Sequence, residues 1–462
     1  MSTKPVGATV KRVVLAVTTV GAFLTPWMVS SINIALPTIG RQYSMSAVAM
    51  GWVSTIYILA SAALLVPFSK LGDIFGRRRI YIVGAVVFCI ASLLCAWTPN
   101  EHWLMVFRAL QGAGAALIFG TGVAIVSSVF PPGERGRALG INVAATYLGL
   151  SAGPVLGGFM TQRLGWHSVF VAAAILAALV AALMAVFVKQ EWKVDGGRRR
   201  FDFVGSAIYV IALTGFTWGL SDLPSLLGAA VLVGGILTLA LFVWWESRCA
   251  DPLLDLWLFR HNRVFALSNL ASFINYSATF AVGFLVSLYL QYIKGYSAES
   301  AGLVLVAQPA LQALVSPWAG RLSDRVEPRL VASTGMAMGS LGLGLLVFLG
   351  RGTSIVFLVP VLALLGLGFA LFSSPNTNTI MSSVEPQHYG LASATLATMR
   401  TAGQMFSMAV AMLVFALVIG PVQITPDRYD AFLQATRLAF IIFAVLCVAG
   451  TFASLARGNL RS

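Results

Sequence analysis

Charge is scarce in this chain of 462 residues: only 10% of its residues are Asp, Glu, Lys or Arg, against about a quarter in an average soluble domain. With 58% hydrophobic content and a mean hydropathy of +0.87, that scarcity excludes a soluble fold and makes the chain an integral membrane protein. Cysteine and histidine are sparser still, with four of each. Cys89, Cys95, Cys249 and Cys447 show no metal or redox spacing. His102, His167, His261 and His388 fall at helix ends or in loops, so no nucleophile triad or metal cluster is visible, which argues against an enzyme, a metal or a cofactor. The N-terminal run does not read as a cleavable leader. Lys4, Lys11 and Arg12 precede an apolar run too long for a signal's core, and no small-residue cleavage site follows it, so this run is expected to remain as the first helix.

Long apolar runs are what the sequence has in abundance. A bilayer core takes about 20 apolar residues as a helix, and fourteen runs of that kind are present. Their approximate limits are 12–38, 50–69, 80–98, 102–130, 138–162, 167–188, 203–221, 225–246, 263–292, 299–319, 330–349, 354–383, 389–420 and 433–456, numbered here as expected helices 1 to 14. An even count with most Lys and Arg on alternate loops predicts that both termini are cytoplasmic. Those loops carry Lys70 with Arg77 to Arg79, Arg135 with Arg137, and the segments 189–200, 248–263 and 321–329. A net charge of +14, spread over short loops in this way, reads as membrane topology and not as a nucleic-acid surface.

Acid is short where a transport cycle would want it. Every Asp and Glu falls in a loop or near a helix end, and of these Asp222, at the end of helix 7, and Glu101, before helix 4, are the least implausible carriers of a proton. Within the helices the two ionised groups are Arg108 and Arg400, one turn from Gln111 and Gln404 respectively. An arginine in a membrane helix costs several kcal/mol unless it faces a cavity or partners, so both are functional candidates, and they favour an anionic or neutral substrate over a cation.

The loop after helix 2 reads SKLGDIFGRRR (69–79) and the loop after helix 10 reads GRLSDRVEPR (320–329). Such repeats place two halves of a transporter around a central site. Here the chain resembles the major facilitator superfamily. Gly72, Asp73, Gly76, Arg77 and Arg78 match the family's loop signature, with Asp324 and Arg325 in the second copy. The resemblance implies that these residues act as a cytoplasmic switch between the bundles. Arg108 and Gln111, in RALQGAGAAL (108–117), look like the family's helix 4 signature. Gly140, Gly149, Gly153, Pro154, Gly157 and Gly158 match its helix 5 signature, which marks the antiporters. Physically, small residues four apart make a flat face for close helix packing, and Pro154 removes a backbone hydrogen bond.

Fourteen helices, SINIALPTIG (31–40) and YLQYIKGYSAESAG (289–302) resemble the fourteen-helix drug:proton antiporters. That branch implies an all-α major facilitator fold: a six-helix bundle over 1–188, a linker and inserted hairpin over 189–262, and a second bundle over 263–462. It implies drug-type efflux of small amphipathic molecules by alternating access, in exchange for protons, from a bacterial inner membrane and as a monomer among lipids. The alternatives are an organic-anion exporter with Arg108 as counter-charge, and a non-transporting receptor. The chain departs from the branch at Met28, where helix 1 usually carries Asp. Candidates for the central cavity are Trp27, Met28, Ser31, Asn33, Tyr57, Arg108, Gln111, Tyr147, Asn275, Tyr276, Phe280, Gln308, Gln312, Asn376, Arg400 and Gln404.

Overall fold

A computed structural model describes residues 7–193, 201–249, 253, 256–323, 325–385 and 389–458. Among them are fourteen helices long and apolar enough to span a membrane: α1 (Thr9–Gln42), α2 (Ala47–Phe75), α3 (Arg77–Ala96), α4 (Glu101–Val129), α5 (Glu134–Arg163), α6 (His167–Phe187), α7 (Phe203–Ser221), α8 (Leu226–Glu246), α9 (Arg263–Ile293), α10 (Ala298–Ser323), α11 (Pro328–Leu346), α12 (Ile355–Ser382), α13 (Leu391–Val418) and α14 (Pro426–Leu455). Their limits lie within seven residues of the expected runs, the largest differences being the end of α2 and the start of α14. Caps set several boundaries: Ser46, Asn100, Asp202, Ser225, Asn262, Ser297 and Ser354 each accept a backbone N–H from the first turn of the following helix. The start of α1 and the end of α14 share one side of the molecule, called here the terminal face. The other is the far face.

α1 to α6 form one six-helix bundle and α9 to α14 a second. The two meet along α2 against α13 and α5 against α10, with α1 touching α9 between these seams. The α7–α8 hairpin packs from outside onto α13 and α2. Phe216 of α7 stacks on Phe406 of α13, with centroids 6.1 Å apart. Only 17% of the apolar window of α8 is buried, so this helix meets lipid on most of its surface, as an inserted pair at the periphery should. Gly219 and Gly235 let α7 and α8 approach closely enough that a methyl on either would collide with the partner's backbone.

Two helices are interrupted at the molecular centre. α9 loses its regular ladder at Phe280, where the Ala281 N–H donates to Ser407 Oγ of α13 at 3.0 Å, and it ends in a π-helical turn, Tyr289–Ile293. α10 breaks at Val306, three residues before Pro309, which has no N–H to offer the Leu305 carbonyl.

Candidate functional site

A cavity of about 130 Å³ lies between the bundles, at the level of both breaks. The first bundle contributes Val29, Ser30, Asn33 and Ile34 of α1 with Leu150 and Pro154 of α5. The second contributes Tyr276, Thr279, Phe280 and Gly283 of α9, Leu305, Gln308, Pro309 and Gln312 of α10, Phe369 of α12 and Gln404 of α13. Four carboxamides therefore face one space walled by aromatic rings, with Tyr276 edge-on to Phe369 at 5.1 Å. Gln312 is 4% exposed and its Nε2 has no partner, leaving an unspent donor at the wall. No ionised side chain lines the cavity among the described residues. A larger hollow of about 450 Å³, between Ser44 and Arg428, is an open dish on the far face away from this axis.

On its far side the cavity is sealed by polar bonds between the bundles. Ser287 Oγ donates to the Asn33 carbonyl at 2.7 Å, and Gln291 Nε2 to the Ile34 carbonyl at 3.0 Å. Nearer the surface, Arg163 pairs with Glu299 at 3.2 Å, and Gln423 donates to the Ser44 carbonyl at 2.8 Å. On the terminal side, the hydroxyls of Tyr147 (α5) and Ser373 (α12) join the bundles at 3.1 Å. Arg400 lies behind them, with its guanidinium 5.7 Å from the Tyr276 ring and Nη2 donating to Thr377 Oγ1 at 2.7 Å.

Of the residues singled out in the sequence, the structure brings Asn33, Tyr276, Phe280, Gln308, Gln312 and Gln404 to the cavity, together with Pro154. Others lie elsewhere. Arg108 is 0% exposed inside the first bundle: Nε donates to the Val53 carbonyl at 3.1 Å, Nη1 to Gln111 Oε1 at 2.5 Å, and the Tyr57 ring lies 4.3 Å from its carbon. Gln111 in turn donates to Ser92 Oγ at 2.7 Å, tying α4 to α3. Met28 and Trp27 are buried within the bundle, and Ser31 donates to the Gly153 carbonyl at 3.1 Å. Asn275 is buried with Oδ1 unpartnered. Asn376 donates to the Ser268 carbonyl and to Ser272, and accepts from Arg457, whose guanidinium plugs the terminal end of the second bundle. Burial pushes the Arg457 guanidinium down to about 10.

Asp222 is the C-cap of α7 and bonds exposed Ser225, while Glu101 sits in the first turn of α4. Neither lines the cavity. The α5 signature divides by role. Gly149, Gly153 and Gly157 press on α1, where added methyls would strike Phe23, Ser30 and Ser31. Gly158 presses on the Ala298 carbonyl of α10 across the bundle seam, and the Pro154 carbonyl meets Gly302 there. Gly140 has nothing within 4 Å of an added methyl, so the close packing expected of the whole signature does not extend to its first glycine.

At the junction of α2 and α3, Arg77 Nε bonds Asp73 Oδ1 at 2.9 Å and Nη1 bonds Ser128 Oγ of α4 at 2.5 Å. Gly76 sits at φ +111°, a conformation that favours glycine, and a methyl on Gly72 would lie 2.7 Å from Thr121. Sequence reasoning missed Glu191. Its carboxylate returns from beyond α6 to accept the N–H groups of Arg78 and Arg79 at 2.8 and 3.3 Å, capping the positive end of α3. Arg325 follows α10, and Asp324 lies outside the described residues.

The model of the Major Facilitator Superfamily matches residues 18–245 and 269–459. The riboflavin transporter RibZ of Clostridioides difficile (strain 630) is 30% identical over 443 residues, 95% of this chain and 96% of its own. The multidrug resistance protein Stp of Mycobacterium tuberculosis (strain ATCC 25618 / H37Rv) is 32% identical over 402 residues, 86% of this chain and 74% of its own. A bacterial homologue of the human lysosomal transporter Spinster shares the fold, with a TM-score of 0.71 over 98% of both chains at 15% identity. With fourteen spanning helices in two bundles and a hairpin, and with these matches along its length, the chain belongs to the major facilitator superfamily of membrane transporters.

Proposed function

We propose that this protein exports small amphipathic organic molecules from the bacterial cytoplasm by alternating access between its two bundles, with protons moving inward in exchange. The carrying observation is the cavity itself: Asn33 from one bundle and Gln308, Gln312 and Gln404 from the other face a space that both bundles wall with apolar groups. A ligand of mixed polarity finds hydrogen-bond partners and apolar surface there together. Similarity to Stp, a multidrug resistance protein, and to RibZ, a riboflavin transporter, supports a drug-type or heterocyclic substrate. The terminal face is the cytoplasmic one on this reading, because Arg77 to Arg79, Arg135 and Arg137 gather there.

At about 130 Å³ the cavity is smaller than the roughly 300–1,000 Å³ that drug-sized ligands occupy. The bundles must therefore part to load it. Opening toward the far face breaks the Ser287 and Gln291 bonds and the Arg163–Glu299 pair. At about 1 kcal/mol per neutral bond, the sum stays within the few kcal/mol that substrate binding can shift. Asp73 and Arg77, with the second copy at Asp324 and Arg325, then hold the terminal face closed. Proton exchange is supported by the α5 signature, and its test must be separable from that of export.

The test is uptake of riboflavin, of ethidium and of an aromatic carboxylate into inside-out proteoliposomes with an acidic lumen. Several-fold accumulation is expected, abolished by a protonophore and reduced at least tenfold by the double variant Gln308→Ala, Gln312→Ala. Failure of riboflavin, ethidium and an aromatic carboxylate alike to accumulate refutes the export reading. Accumulation that survives the protonophore removes proton exchange and leaves export standing.

A further inference from the structure

Arg400 stands about 13 Å from the terminal end of α13, nine residues in at 1.5 Å per residue. Gln404, one turn further and on the same face, lines the cavity. The guanidinium lies against Tyr276, itself a cavity wall. Its Nη2 holds Thr377, but Nε is buried and has no partner. An aromatic face and a hydroxyl solvate a cation without neutralising it. Among the described residues no carboxylate pairs with Arg400 and none lines the cavity. An uncompensated charge at that depth is costly, and such charges persist where a pathway uses them.

We propose that the substrate is an organic anion with a planar apolar body, and that Arg400, just behind the Tyr276 wall on the terminal side, supplies its counter-charge as the bundles part to load it. This rests on the export reading above and narrows it to one charge class. The body lies among Tyr276, Phe280 and Phe369, its neutral polar groups meet the carboxamides, and its carboxylate takes the unused Nε donor. The terminal side of the cavity also links the bundles. Tyr147 of the first bundle bonds Ser373 of the second, and Thr377, the hydroxyl that Arg400 holds, donates to the Ser373 carbonyl at 2.7 Å. An anion drawn to Arg400 competes for this chain of hydroxyls, so its arrival changes a contact between the bundles and not only a pocket wall.

Arg108 does not serve this purpose. Its Nη2 is also unpartnered, but it is wholly buried within the first bundle against Tyr57, which lines no part of the cavity, whereas Arg400 lies against Tyr276, which does.

The experiment is thermal stabilisation of the purified full chain by naphthoate, naphthamide and naphthyltrimethylammonium, three probes that differ in charge on one body. Naphthoate is expected to act at a concentration about tenfold lower than naphthamide, the ratio one charge-assisted hydrogen bond supplies, and the cation to act more weakly than either. Arg400→Gln should weaken naphthoate about tenfold and leave naphthamide within twofold. Arg400→Lys should restore part of the preference, and Tyr147→Phe should keep it. Equal action of acid and amide on the wild type, tighter action of the cation, or equal weakening of both by Arg400→Gln each overturns the proposal. Stabilisation by phosphatidylglycerol that depends on Arg400, with none by naphthoate, also overturns it and gives the site to a lipid headgroup. Naphthamide binding that is lost in Gln308→Ala, Gln312→Ala reports the cavity independently of charge. Failure of the anion proposal is thereby distinguished from failure of the export reading.

Discussion

Arg108 of α4 and Arg400 of α13 look equivalent as sequence, each a lone arginine in an apolar helix with a glutamine one turn on, yet the two bundles use them differently. Arg108 is fully buried between α2 and α4, spends Nε on a backbone carbonyl and Nη1 on Gln111, leaves Nη2 unpartnered, and lies beneath Tyr57. Arg400 is half-buried beside the cavity with one hydroxyl partner and an idle Nε. The first is a strut that ties α4 to α2, and through Gln111 and Ser92 to α3. The second is a charge held near a space where something else can meet it. What separates them is the rotation of each helix about its own axis, which turns Arg108 into its bundle and Arg400 toward the seam.

The comparison is broken most directly at Arg108. Arg108→Ala removes two charge-assisted bonds and leaves Gln111 Oε1 buried without its donor, a loss of about 3 kcal/mol. The thermal midpoint of the purified protein should fall by several degrees, while its preference for naphthoate over naphthamide stays as in the wild type. An unchanged midpoint with a lost preference would exchange the roles of the two arginines.

The α5 glycines sharpen a second comparison, between packing inside a bundle and packing across the seam. Gly158→Ala places a methyl against the backbone of Ala298 on α10, at a contact that must slide during transport. A clash with backbone costs about 1–3 kcal/mol, so transport should slow at least fivefold. Gly140→Ala meets open space and removes a flexible residue from an exposed helical turn, raising stability by up to about 1 kcal/mol without altering transport. Uptake rates and thermal midpoints of the two variants, taken together, check both outcomes.

Much of this architecture was legible because hydropathy and helix length are properties of a single segment. The fourteen spans, the basic loops and the repeat at 69–79 and 320–329 needed no partner to be seen. The interruption of α9 was not legible, because the hydroxyl that takes the freed Ala281 N–H, Ser407, sits on another helix. The break in α10 left a trace in Pro309, which a closer reading of the missing donor could have used. At the site, polar residues announced themselves and apolar ones did not. Gln308, Gln312 and Gln404 were found, whereas Leu150, Thr279 and Phe369 line the same cavity and carry no mark that separates them from residues facing lipid. Arg108 shows the opposite limit: its cost in a membrane was evident, but whether a cavity or a carbonyl compensates it depends on a neighbouring helix. Glu191 was missed because its target, the start of α3, is distant in sequence.

The smallest effect is the most informative about motion, and it lies in the far-side seal, where a buried bond and an exposed ion pair do similar geometric work. Ser287 is fully buried and donates to the Asn33 carbonyl, so Ser287→Ala leaves that carbonyl short of a partner where water is scarce, a loss of about 1 kcal/mol. The Arg163 and Glu299 side chains are 64% and 33% exposed, and a pair of that kind contributes under about 1 kcal/mol and less in salt. Spin labels at Leu164 and Gly352, in a cysteine-free background, would report the separation of the bundles on the far face. Ser287→Ala should raise the far-open population about fivefold, whereas Arg163→Gln should change it less than twofold at 0.15 M salt. A larger response from Arg163→Gln would place the seal at the surface, and the interlock of Ser287 and Gln291 around Asn33 and Ile34 would then be a consequence of closure and not its cause.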